Sequence, residues 1–166
     1  MLPDIDIRLD TITKALQESV LPALKDGEQA AREQIGLITM HLAIIRAQWK
    51  KALPFELGSF DELCKLGRQL QDIVTDSALR TALTNELSAA AALTRTDYAQ
   101  VNMALRRLGA VIDQVITEHD INSPMSHALK GALVAYALAE ATRNRAFFAG
   151  TGVDPDAHEL PGLETF

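Results

Sequence analysis

Two rows of apolar residues, repeating in alternate steps of three and four, constrain this chain more than any other feature. Ile35, Ile38, Leu42, Ile45, Trp49 and Ala52 form one row; Tyr98, Val101, Leu105, Leu108, Ile112, Val115 and His119 form the other. Such spacing draws one stripe down the side of an α-helix and suits shallow-angle packing against further helices. A half-buried strand would alternate every second residue, and no convincing run of that kind is present. The expected fold is all-α: an antiparallel helical bundle of about six helices. A four-helix core, with the third and fourth helices as a cap, is the alternative count.

Punctuation sets the expected boundaries. The first helix runs from about Asp4 to Lys25, with Ile5, Leu9, Ile12 and Leu16 a turn apart, Pro22 bending its end and Gly27 terminating it. The second spans about Glu28 to Leu53 and stops before Pro54, because proline disfavours helical geometry in the residue before it. A loop, PFELGS, follows. Ser59 with Glu62 reads as a capping box opening a third helix to about Val74. Thr75, Asp76 or Ser77 caps a fourth, built on Leu79, Leu83 and Leu87. Thr94 with Asp97 is a second capping box, opening a fifth helix to about His119. Ser123-Pro124 starts a sixth, to about Phe148, since proline at the first helical position loses no needed donor. Ala128, Ala132, Ala135, Ala139, Thr142, Ala146 and Ala149 give that helix a row of small residues, expected to meet a close neighbour. One domain, 1–149, is expected, followed by an irregular or disordered tail, 150–166, with four acids and no Lys or Arg.

Composition narrows the class. A 166-residue chain with 48% hydrophobic residues is long enough to bury a real core, and its net charge of −6 argues against a nucleic-acid or anionic-lipid footprint. The single cysteine, Cys64, forms no internal disulfide and fits a reducing compartment. No basic, apolar and small-residue leader pattern opens the sequence. The longest uncharged run of the last helix, residues 131–139, is far short of the roughly 20 residues that span a bilayer. A cytoplasmic protein without a membrane span is therefore expected.

Few residues announce chemistry. His41 interrupts the apolar run ITMHLAIIRAQWKK (38–51), but Gln34, His41 and Gln48 are seven apart and form a polar row beside the Ile35, Leu42 and Trp49 stripe. Edge packing is its first reading, and ligand binding or proton transfer its second. Gly36, Met40, Ala43 and Ala47 make the reverse side of this helix apolar or small too, so it is expected to pack on two sides, within the bundle or between subunits. On the sixth helix Glu140 and Arg143 are three apart and suit a surface ion pair. Turned inward with Asn102, the same residues would anchor a small anionic ligand. His41, Asn102, Glu140 and Arg143 are thus the candidate ligand-binding set. Glu118, His119 and His127, with Asp120, surround the turn between helices five and six and offer oxygen and imidazole ligands for a divalent transition metal. His119 has a structural account as well, at a helix C-terminus that favours imidazolium. No recognised metal, phosphate-loop or nucleophile motif is present, no cofactor is indicated and no catalytic residue is assigned. Cys64 reads as a packing residue, and His158 with the tail acids as a solvated segment.

Residues 15–46, ALQESVLPALKDGEQAAREQIGLITMHLAIIR, resemble small uncharacterised all-helical bacterial proteins that accompany phosphotransferase-like and acyl-CoA dehydrogenase-like proteins. The shared features are the VLPAL helix end and the Leu42, Ile44 and Arg46 ending of the next helix. The resemblance implies bacterial origin and an accessory role. Two functional classes follow. The first is a protein-interaction module without catalysis, acting as a homodimer or with a protein partner, because more helix faces look buried than one small bundle covers. The second is a small-molecule binder or enzyme with a pocket between helices.

Overall fold

At Pro54 the chain does not break. Pro54 lies in the first turn of a helix, where its missing N–H has no intrahelical partner to lose, so helix α3 runs Ala52–Ile73 and absorbs the expected PFELGS loop. The break falls earlier, at a 3-10 turn, Trp49–Lys51. The computed structural model describes residues 4–118, 126–152 and 154–163. Among these residues there are six helices of ten residues or more and no strand. The others are α1 (Ile5–Lys14), α2 (Gln29–Gln48), α4 (Ser77–Ala91), α5 (Tyr98–Glu118) and α6 (Ser126–Phe148). Among the described residues no helix is long and apolar enough to cross a membrane.

Local chemistry fixes the ends. Beyond Lys14 the first helix widens into a π-helical stretch, Ala15–Val20, and closes with Leu21–Ala23 around Pro22. Gly27 turns the chain with φ +96°, which an L side chain rarely adopts. Asp76 caps α4, its carboxylate accepting from the N–H groups of Ala78 and Leu79 at 2.8 and 2.9 Å. Asp97, rather than Thr94, caps α5 by accepting from Ala99 and Gln100. Ser123 and Pro124 lie outside the described residues. After α6 the chain makes short 3-10 turns at Ala149–Thr151 and Ala157–Glu159, and Arg145 holds Asp154 through two hydrogen bonds of 2.7 and 3.1 Å.

The core belongs to α3 through α6. Phe60, Leu63, Leu66 and Leu70 of α3 meet Leu83 and Leu87 of α4, Val101, Leu108, Ile112 and Val115 of α5, and Leu129 of α6. Helix α3 packs against all three neighbours, and α4 also packs against α5. The third helix is thus the centre of the bundle, not part of a cap. Helix α2 is peripheral, and Ile35 is its only buried residue. The reverse side that sequence marked for burial is largely open: Met40 is exposed, as are Gly36 and Ala43. Ala47 is exposed as well, although its Cβ lies 3.7 Å from where a Cβ on Gly150 would sit.

α1 and α2 instead form an antiparallel hairpin, an arm joined to the bundle at Trp49–Lys51. Lys50 pairs with Asp6 and Arg46 with Asp10. Trp49 Nε1 donates to Asp6 Oδ1 at 2.8 Å, and the Lys50 ammonium lies 5.2 Å from the indole centroid. At the joint, Phe55 of α3 stacks on Phe147 of α6 with centroids 4.2 Å apart. The Gln48 amide donates to the Phe147 carbonyl at 3.5 Å.

Two outcomes follow. Leu70→Ala, at a side chain with 0% exposure, is expected to lower unfolding free energy by about 2–5 kcal/mol in denaturant titration. The Lys50 and Trp49 hydrogen bonds hold the Asp6 carboxyl below the usual carboxylate range. A depressed carboxylate stabilises the fold above its unfolded pKa, and that contribution is lost as pH falls through the lower native value. Acidification below about pH 4 is therefore expected to release the arm staple, read as a red shift of Trp49 emission that Asp6→Asn produces at neutral pH.

Candidate functional site

The inward side of α6 is written at helical spacing. Leu129, Tyr136 and Arg143 are seven apart, as are Leu133, Glu140 and Phe147. Leu129 is buried and Leu133 and Tyr136 pack on the core, so the same period carries Glu140 and Arg143 inward. Arg143 is only 2% exposed. Its Nη1 pairs with Glu140 Oε1, and Ser59 Oγ of α3 donates to Glu140 Oε2 at 3.2 Å. Ser59 is therefore a buried mid-helix residue clamped to α6, not the first residue of a capping box.

Gly58 makes room for this arrangement. A Cβ there would lie 2.6 Å from Arg143 Nε and 3.3 Å from both Cδ and Cζ, so the guanidinium occupies the place of a side chain on α3. Asn102 takes a different partner. Its amide donates to Glu56 Oε1 at 3.1 Å, and the Tyr98 hydroxyl donates to the same oxygen at 2.9 Å, joining α5 to α3. The Glu56 hydrogen bond raises the Tyr98 hydroxyl pKa, keeping it a donor. One end of α3 thus carries two polar clasps, Gly58 and Ser59 with α6 and Glu56 with α5.

Of the four candidate ligand residues, the structure brings Glu140 and Arg143 into contact. It sends Asn102 to Glu56, and leaves His41 exposed on the arm. Both Glu140 oxygens are engaged by the chain's own side chains. Gly58, Ser59, Glu56 and Tyr98 complete the clasps and were not singled out as site residues from sequence, although the seven-residue ladder from Leu129 to Arg143 was a usable signal for the inward turn of Arg143. Glu118 and His127 are exposed, while His119 and Asp120 lie outside the described residues. Among the described residues no group of three His, Cys, Asp or Glu is placed to hold a metal ion. Cys64 is buried, and that burial pushes its thiol pKa up, away from the reactive thiolate.

The small-residue row of α6 meets its neighbour less closely than its spacing implies. Ala132, Ala135 and Ala139, with Tyr136, line a groove of about 120 Å³ against Glu62, Lys65, Leu66 and Gln69 of α3. Of the row, Ala132 packs on the core and Ala146 is buried, and the adjacent Leu129, Leu133 and Tyr136 supply the bulkier contacts. Compared with protein-family models, curated proteins and solved structures, the chain matches none.

Arg143→Met is expected to leave Glu140 without its cation and to cost about 3–5 kcal/mol, whereas Arg143→Met with Glu140→Leu recovers most of the loss. Gly58→Ala, which drives a methyl into the guanidinium, is expected to cost about 1–3 kcal/mol. Denaturant midpoints of the four proteins check all three expectations.

Proposed function

We propose that this chain is a protein-interaction module of the bacterial cytoplasm, an accessory protein that works through its surface without catalysis of its own. One observation carries the reading: the large apolar side chains left outside the core. Ile5, Ile7, Ile12 and Val20 of the first helical segment are each at least 43% exposed, as are Leu37, Ile38, Met40 and Ile45 of α2. Val134 and Leu138 of α6 are 69% and 67% exposed. Large apolar side chains left exposed in this way offer the surface that a binding face uses in a folded chain. The internal clasp at Glu140 and Arg143 supports the same reading, since its polar groups serve helix pairing. The accessory role implied by residues 15–46 agrees with it.

A second reading, a small-molecule binder, draws on the buried Arg143, whose guanidinium would suit an anion if Glu140 were displaced. Native mass spectrometry of untagged protein from its own host separates the two. The first reading expects an assembly of two or more chains with no added small mass. A monomer that retains a small molecule would replace it with the second.

A further inference from the structure

We infer that the α1–α2 arm is the surface of self-association: two copies lay their arms face to face about a two-fold axis and form a four-helix bundle between subunits. The inference rests on the interaction-module reading and specifies its face and its partner.

The geometry begins with the ion pairs. Asp6 meets Trp49 and Lys50, and Asp10 meets Arg46, which fixes the antiparallel register and stitches one side of the hairpin. Helical periodicity then places Ile5 and Ile12 of α1, and Ile38 and Ile45 of α2, together on the opposite side. Their exposures are 46%, 47%, 44% and 48%. That side holds no ion pair, and the same periodicity puts Arg8, Gln34 and His41 along its border, the polar rim that surrounds an apolar interface core. His41 gains an account here as an edge residue of the patch.

The occupant follows from area and pattern. The chain's accessible surface is 10671 Å², against roughly 8,100 Å² for a compact single chain of its mass. That difference exceeds the roughly 800 Å² that each partner hides in a standard interface. An arm whose first helix buries no residue, and whose second buries only Ile35, needs such cover to hold its helices in place. A second copy supplies it in matching form. Isoleucines seven apart on both helices present equivalent knobs and holes after a two-fold rotation, with no charge in the patch to select an unlike partner. The α6 face is a weaker candidate, because Val134 and Leu138 stand there among Ala and Gly.

Analytical ultracentrifugation of the full chain over a range of concentrations tests the assignment. It compares the unchanged protein with I38Q/I45Q on the arm and with V134Q/L138Q on α6. The expected result is a dimer for the unchanged chain and the α6 variant, and a dissociation constant raised at least tenfold for the arm variant, with unchanged far-ultraviolet circular dichroism. Dimers in all three, or dissociation only of the α6 variant, would overturn the arm assignment and leave the interaction reading standing. A monomeric unchanged chain overturns the inference, and if native mass spectrometry also finds a retained small molecule, the underlying reading falls with it. Should the glutamines unravel the arm, a nitroxide on Gln34→Cys in a Cys64→Ser background decides. Because α2 is about 30 Å long, pulsed electron resonance giving a separation under about 40 Å supports paired arms, and no dipolar coupling overturns them.

Discussion

The burial of α3 on three sides is the constraint from which the other positions in the bundle follow, because a helix with neighbours in three directions must be apolar over most of its circumference. Phe60, Leu63, Leu66, Leu70 and Ile73 supply that surface, and α4, α5 and α6 each find their place against part of it. α4 and α5 also touch one another, so the cluster of Leu70, Leu83 and Leu108 is enclosed rather than merely covered. At its N-terminal end the same helix changes character, and Glu56, Gly58 and Ser59 replace bulk with hydrogen-bonding groups and space.

That change explains how a charged pair is accommodated in a small core. An arginine at 2% exposure needs its charge compensated and its volume accepted; Glu140 does the first and the missing Cβ of Gly58 the second. The Glu140 carboxylate is held in turn by the Ser59 hydroxyl. A slip of one residue between α3 and α6 would set a side chain against the guanidinium, so the polar contacts fix a register that leucines alone would leave loose. The arm obeys a different balance. The ion pairs that stitch its helices are largely exposed, and such pairs contribute little in water, where the partners are already solvated.

Fold class and helix number were legible because period and punctuation are local properties of a sequence. Val101, Leu108, Ile112 and Val115 lie buried where the heptad row puts them, and Asp76 caps the helix it precedes. The hierarchy among helices was less legible. The rows of α2 and α5 are equally regular, yet α5 is buried in the bundle and α2 lies outside it, because periodicity reports that a face is apolar and not which surface covers it. Pro54 misled for a related reason: its effect depends on whether it stands before a helix or in the first turn, and only the bend at Trp49–Lys51 decides that. For the candidate site, spacing identified the Glu140 and Arg143 pair. It did not separate Asn102 from that pair, since the partner of Asn102, Glu56, comes from a segment read as loop.

Among the described residues, every buried apolar side chain except Ile35 lies at Phe60 or beyond. The two parts consequently answer to different tests over evolutionary time. A change at Leu70 must be absorbed by Leu83 or Leu108 within the same molecule, so descendants of this sequence should alter such positions in concert or not at all. A change at Ile38 meets no such internal partner, and the arm is free to diversify at the pace set by whatever surface it meets.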